Sequence, residues 1–195
     1  MLDQHRNWFK GLEGKTADIF AVFPITPNQY TAISIVFALV CAYELFVGSY
    51  WLALVFFIFA GAMDFIDGAV ARKKNLSSSK GAYWDTIADR YVEAILLFGL
   101  LFTGLPDFYL PQYAWILLVL VGSIMTTYAK AAAKEKGLSD TEMKGGLMSR
   151  AERLIAYALI MVLLNYSREG AIFMIIFLAI FSNITAWQRI RKALF

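Results

Sequence analysis

Six apolar runs, at roughly 29–49, 51–71, 82–104, 112–133, 151–166 and 170–188, occupy most of this chain of 195 residues. Each is close to the roughly 20 residues that a helix needs to cross a bilayer. The chain is 59% hydrophobic, against about 45–50% for a soluble domain, and its mean hydropathy is +0.59. The expected fold is therefore an all-α integral membrane protein with six transmembrane helices. Two runs fit less well: the fifth is short, and the third carries Asp85, Asp89 and Glu93.

Residues 1–20, "MLDQHRNWFKGLEGKTADIF", have no continuous apolar core of the kind a signal peptide requires. Trp8, Phe9, Leu12, Ile19 and Phe20 would form an apolar face with His5, Arg6, Lys10 and Lys15 around it, which predicts an N-terminal amphipathic helix lying in the membrane interface. Gly11 and Gly14 work against that helix. The chain divides accordingly into a juxtamembrane segment, 1–24, and a six-helix domain, 25–195, whose first span begins at Pro27–Asn28. With six spans, both termini, the 72–81 connection and the 134–150 connection share one side and hold nearly all the Lys and Arg. The opposite connections hold only Arg168. The positive-inside rule then puts both termini in the cytoplasm of a multi-pass cell-membrane protein. Its expected charged neighbours are anionic lipid headgroups rather than nucleic acid. Trp51, Trp115 and Trp187 read as interfacial anchors. One cysteine, Cys41, and one histidine, His5, permit neither an intrachain disulfide nor a Cys/His metal cage. Any metal must be held by oxygen.

The chemistry concentrates where the second span ends. "FIFAGAMDFIDGAVARKK", 57–74, places Asp64 and Asp67 at i and i+3 on one helix face. "GAYWDTIADRYVE", 81–93, then places Asp85 and Asp89 at i and i+4, with Glu93 a turn further. A helix hairpin would bring all four aspartates together near the cytoplasmic interface. Four carboxylates in one partly desolvated place repel one another, and two divalent cations would balance them. Oxygen donors favour Mg²⁺, Mn²⁺ or Ca²⁺, and two such ions about 4 Å apart serve in-line phosphoryl displacement. Gly68 allows close approach of a phosphate, and Arg72 can hold one bidentately. The competing readings are an ion or proton relay in a transporter and simple pairing with Arg72, Arg90 and Lys80.

These residues resemble a known family. Asp64-x2-Asp67-Gly68-x2-Ala71-Arg72-x8-Gly81-x3-Asp85-x3-Asp89 is similar to the full signature of the CDP-alcohol phosphotransferases, and the six-helix plan extends the resemblance over nearly the whole chain. The resemblance implies that Asp64, Asp67, Asp85 and Asp89 hold two metal ions, Mg²⁺ or alternatively Mn²⁺, and that Asp89 is also the general base. It implies that Gly68, Arg72 and Ser78 contact the diphosphate of a CDP-lipid, that Asn28, Gln29, Tyr30 and Thr31 contribute to the nucleotide pocket, and that the protein is a homodimer. Phosphoryl transfer depends on positioning and charge stabilisation, so direct displacement of CMP is expected, with no covalent intermediate. An aspartate-rich intramembrane prenyltransferase is a rival, although such enzymes lack the Gly-x2-Ala-Arg that follows Asp67 here.

"TTYAKAAAKEKGL" and "GGLMSRAERLI" bear on the acceptor. Tyr128, Lys130, Gly145, Gly146, Arg150, Glu152, Arg153, Leu154 and Ile155 resemble a pattern of phosphatidylinositol-phosphate and archaetidylinositol-phosphate synthases. By that resemblance Lys130, Arg150, Arg153 and Arg189 bind the phosphate of inositol 1-phosphate. Ala132 stands where many of these enzymes have arginine, and Ala151 where proline is common. Glycerol 3-phosphate, serine and free inositol remain alternative acceptors, the lipid is diacylglycerol- or archaeol-based, and positive-inside bias would also supply cations at these helix ends.

Overall fold

The computed structural model describes residues 10–138 and 146–195. His5, Arg6, Trp8, Phe9, Lys144 and Gly145, and the side chains of Lys10, Leu12 and Lys15, lie outside the described residues, and with them most of the expected N-terminal amphipathic face. The described elements are helices: α1 (Lys10–Phe20), α2 (Pro27–Phe46), α3 (Tyr50–Lys73), α4 (Ser79–Leu100), α5 (Gln112–Glu135), α6 (Arg150–Leu164) and α7 (Arg168–Leu194). Among the described residues the only β feature is an isolated bridge between Phe108 and Leu110. Every apolar run falls on one of α2–α7. By length and composition, four of them (α2, α3, α5 and α7) are long and apolar enough to cross a membrane. Helix α4 carries Lys80, Asp85, Asp89, Arg90 and Glu93, and α6 has only 15 residues.

The chain forms two compact units, one running to Thr103 and one beginning at Gly104. In the first, α2 packs along both α3 and α4, and α1 packs on α3. Helices α3 and α4 themselves scarcely touch, so the expected hairpin is not a packed pair. The reason lies in α2. Its contact with α4 is so close that a Cβ at Gly99 would sit 2.8 Å from the Ala42 Cα, which draws α4 onto α2 and leaves space beside α3.

Local chemistry sets the helix ends. Thr26 begins α2, with Pro27 in its first turn, and the Thr26 N–H donates to Gln29 Oε1 at 2.8 Å. Helix α3 ends in a Schellman-type closure: the Leu76 N–H donates to the Ala71 carbonyl at 2.9 Å while Asn75 adopts φ 54°. Ser78 then caps α4, its Oγ accepting from the Gly81 N–H at 3.1 Å. At the same end of α3, Lys73 Nζ lies 2.7 Å from Asp18 Oδ1 and ties α1 to α3.

In the second unit α5 and α7 are in close contact and α6 packs on α7. Asn183 Nδ2 donates to the Leu118 carbonyl at 2.9 Å, across the α5–α7 seam. A Cβ at Gly122 would lie 2.8 Å from Ser182 Cβ and 2.9 Å from the Asn183 backbone nitrogen. Exchanging a helical glycine for alanine ordinarily gains about 1 kcal/mol. Here Gly122→Ala is expected to lose about 1–3 kcal/mol through overpacking, read as a lower melting temperature in detergent.

Candidate active site

The site grows from the ends of three helices in the first unit. Near the end of α3, Asp64 is half-buried and Asp67 is 6% exposed, and Asp85 enters from the second turn of α4. One carboxylate oxygen from each of Asp64, Asp67 and Asp85 lies within 4.8 Å of the others. From α2, Thr31 Oγ1 donates to Asp67 Oδ2 at 2.5 Å. These groups adjoin a cavity of about 380 Å³ lined by Thr26, Asn28, Thr31, Asp67, Gly68, Arg72, Ser77, Ser78, Gly81 and Asp85, with Pro27, Ala71, Leu76 and Ala82 completing the wall. The Arg72 guanidinium folds back over Gly68, where a Cβ would meet its nitrogens at 3.3 and 3.4 Å. A side chain at position 68 would press on the guanidinium and shift it by a few tenths of an ångström.

The donor set can be tested against a metal from its own chemistry. Three hard oxygen donors converge, no histidine or cysteine is among them, and the α3 and α4 backbones stand apart around the point of convergence. This arrangement fits a hard divalent cation.

Of the four aspartates read from the sequence, Asp64, Asp67 and Asp85 each offer an oxygen within 4.8 Å of the others. Asp89, one turn beyond Asp85, lies outside the trio, with Oδ2 3.9 Å from Arg90 Nη2. Arg90 Nη1 in turn lies 2.9 Å from Glu93 Oε2. The pairing expected as an alternative for the acids thus occurs at Asp89 and Glu93. Of the residues assigned to the CDP-lipid, Asn28, Thr31, Gly68, Arg72 and Ser78 line the cavity and Gln29 and Tyr30 do not. Gln29 is spent on the α2 cap. Tyr30 is 2% exposed, packs with Ile66 and Val70, and donates its hydroxyl to the Phe20 carbonyl at 3.2 Å.

In the second unit, Lys130 is half-buried on α5, Arg150 opens α6, and Arg153 is 1% exposed on the same helix. Arg189, on α7, donates from Nη1 to the Thr126 carbonyl at 2.8 Å. The start of α6 is set by Ser149, whose N–H donates to Glu152 Oε2 at 2.5 Å. Sequence reasoning missed Thr26 and Ser77 on the cavity wall.

An acidic trio fit for a divalent cation, beside a cavity walled by an arginine over a glycine and by hydroxyl groups, defines an enzyme site for a phosphorylated substrate. The chain belongs to the CDP-alcohol phosphatidyltransferase family, whose family model matches residues 24–187, and it is a transferase. It is 32% identical over 180 residues to the archaetidylinositol phosphate synthase of Pyrococcus horikoshii, covering 92% of this chain and 88% of that one. It is 30% identical over 179 residues to the phosphatidylinositol phosphate synthase of Cutibacterium acnes, covering 88% and 82%. The fold matches the crystal structure of Mycobacterium tuberculosis phosphatidylinositol phosphate synthase with CDP-DAG bound, at a TM-score of 0.81 and 24% identity, covering 93% of this chain and 92% of that one. A structure of the same mycobacterial enzyme in complex with manganese and citrate matches at a TM-score of 0.81 and 25% identity, covering 93% and 88%.

Proposed function

We propose that this protein transfers the phosphatidyl or archaetidyl group of a CDP-linked lipid to inositol 1-phosphate, releasing CMP. The observation that carries the reading is the convergence of Asp64, Asp67 and Asp85 on the cavity that holds Arg72 and Gly68. The names of the relatives favour a phosphorylated inositol as acceptor. All six helices α2–α7 span the membrane, and 25–195 act as the catalytic domain. Both termini and the site face the cytoplasm, and the protein is a homodimer.

Asp64, Asp67 and Asp85, with Asp89, hold two Mg²⁺ ions, which supply charge neutralisation at the phosphates when bound. Arg72 faces the diphosphate and offsets the negative charge that leaves with CMP. Asn28 forms the α2 side of the nucleotide pocket, and Ser78 forms the α4 side. Gln29 and Tyr30 support that pocket by fixing the first turn of α2. Asp89 takes the proton from the acceptor hydroxyl as its oxygen forms the new bond to the lipid-side phosphorus and the bond to the CMP oxygen breaks. Lys130, Arg150, Arg153 and Arg189 bind the acceptor's phosphate.

The test is CMP release from CDP-lipid by purified enzyme, with acceptors added singly. Inositol 1-phosphate with Mg²⁺ is expected to give turnover that chelation abolishes and Mg²⁺ restores. Turnover with glycerol 3-phosphate, serine or free inositol, and none with inositol 1-phosphate, would reassign the acceptor.

A further inference from the structure

We infer that Thr31 is a positioning residue for the Asp67 carboxylate, and through it for cation binding at the acidic trio, rather than a contact to the nucleotide. The inference rests on the cation reading given above. Thr31 Oγ1 carries one proton and has two acceptors within reach: the Pro27 carbonyl one turn back, at 3.2 Å, and Asp67 Oδ2, at 2.5 Å. A threonine inside a helix ordinarily bonds back to the carbonyl four residues before it. Here the much shorter approach is to the carboxylate, and a hydroxyl bonded to an ionised acceptor makes a stronger bond than one to a neutral carbonyl. Thr31 is 3% exposed, so this bond has little competition from water.

The geometry gives the bond a use. Asp67 is the most buried of the three converging acids, and its carboxylate can turn about its own side-chain bonds. Accepting from Thr31 fixes one oxygen and with it the plane of the group. Thr31 stands on α2, the helix that packs on both α3 and α4, so the carboxylate is referenced to the element on which both halves of the trio are mounted. Hydrogen bonds to ligating groups typically tune metal affinity by about 10- to 100-fold.

Thr31 also lines the cavity, and a role as a direct contact to the nucleotide is therefore the competing assignment. The two separate in the full-length enzyme without CDP-lipid, titrated with Mn²⁺ alone and followed through the free-ion electron paramagnetic resonance signal. Thr31→Val keeps the shape and removes the proton donor, and is expected to weaken Mn²⁺ binding about 10- to 100-fold. Thr31→Ser restores the hydroxyl and is expected to restore affinity to within about twofold, which guards against a mere packing effect. At saturating Mn²⁺ the KM for CDP-lipid should be unchanged in both variants. Unaltered Mn²⁺ affinity in Thr31→Val, or equal loss in Thr31→Ser, would overturn the inference alone. A raised CDP-lipid KM at saturating Mn²⁺ with normal Mn²⁺ affinity would make Thr31 a nucleotide contact. An unsubstituted enzyme that binds no Mn²⁺ would instead remove the cation reading of the trio, and the inference with it.

Discussion

Asp67→Asn is expected to abolish CMP release while leaving the metal-free protein folded and more resistant to heat. The two effects share one cause. One carboxylate oxygen from each of Asp64, Asp67 and Asp85 lies within 4.8 Å of the others. Like charges at that separation oppose each other by roughly 3.5 kcal/mol or more per pair at an effective dielectric of 20. Asparagine keeps the shape, keeps an oxygen to accept from Thr31, and removes one of the mutually repelling charges. The metal-free melting temperature should rise by about 2–4 °C for each kcal/mol relieved, given the size of the chain. Turnover should fall by roughly 10³-fold or more, because several kcal/mol of charge stabilisation depend on a cation held there and each 1.36 kcal/mol is tenfold in rate. A variant with near-normal turnover would remove Asp67 from the site. One that melts lower without metal would show that the acids are held by bonds stronger than their repulsion.

How much of this was legible in the sequence varies with the range of the interaction concerned. The apolar runs predicted helices within a few residues of α2–α7, because burial in lipid demands length and hydrophobicity and little else. The start of α2 was equally local, written in Pro27–Asn28. Asp64 and Asp67 were legible as a pair because i and i+3 share a helix face whatever surrounds them. The packing of α4 was not, since it depends on Gly99 meeting Ala42, a contact between positions far apart in the chain that no local pattern displays. Asp89 shows a different limit. Its spacing from Asp85 puts both on one helix face, but the neighbouring Arg90, itself paired with Glu93, is a competing partner that spacing alone does not weigh. Gln29 and Tyr30 lie off the cavity wall because four consecutive helical residues point in four directions. Asn28 and Thr31, three apart, are the two that can line one wall.

Glu93→Ala is expected to be the most destabilising single change in the first unit. The Glu93 side chain is 5% exposed and Arg90 18%, with 2.9 Å between the guanidinium and the carboxylate. Removing one partner of a buried pair typically costs about 3–5 kcal/mol, of which Asp89, 3.9 Å from Arg90, offsets a part. The full cost corresponds to a loss of about 6–20 °C in melting temperature for a chain of this size. Arg90 would then be left facing Asp89, already 3.9 Å away, and drawing those two together should lower kcat beyond what lost stability accounts for, at temperatures where the variant is fully folded. Glu93→Gln, which retains an acceptor without the charge, should fall between the two. Replacing both partners with apolar residues of similar size, Arg90→Met with Glu93→Leu, should recover most of the melting temperature, since buried ion pairs rarely outperform well-packed hydrophobic residues. The same double variant should not recover kcat if Arg90 is needed to hold Asp89. Stability returning without turnover would separate the two roles of the pair, and turnover returning together with stability would assign Arg90 to the fold alone.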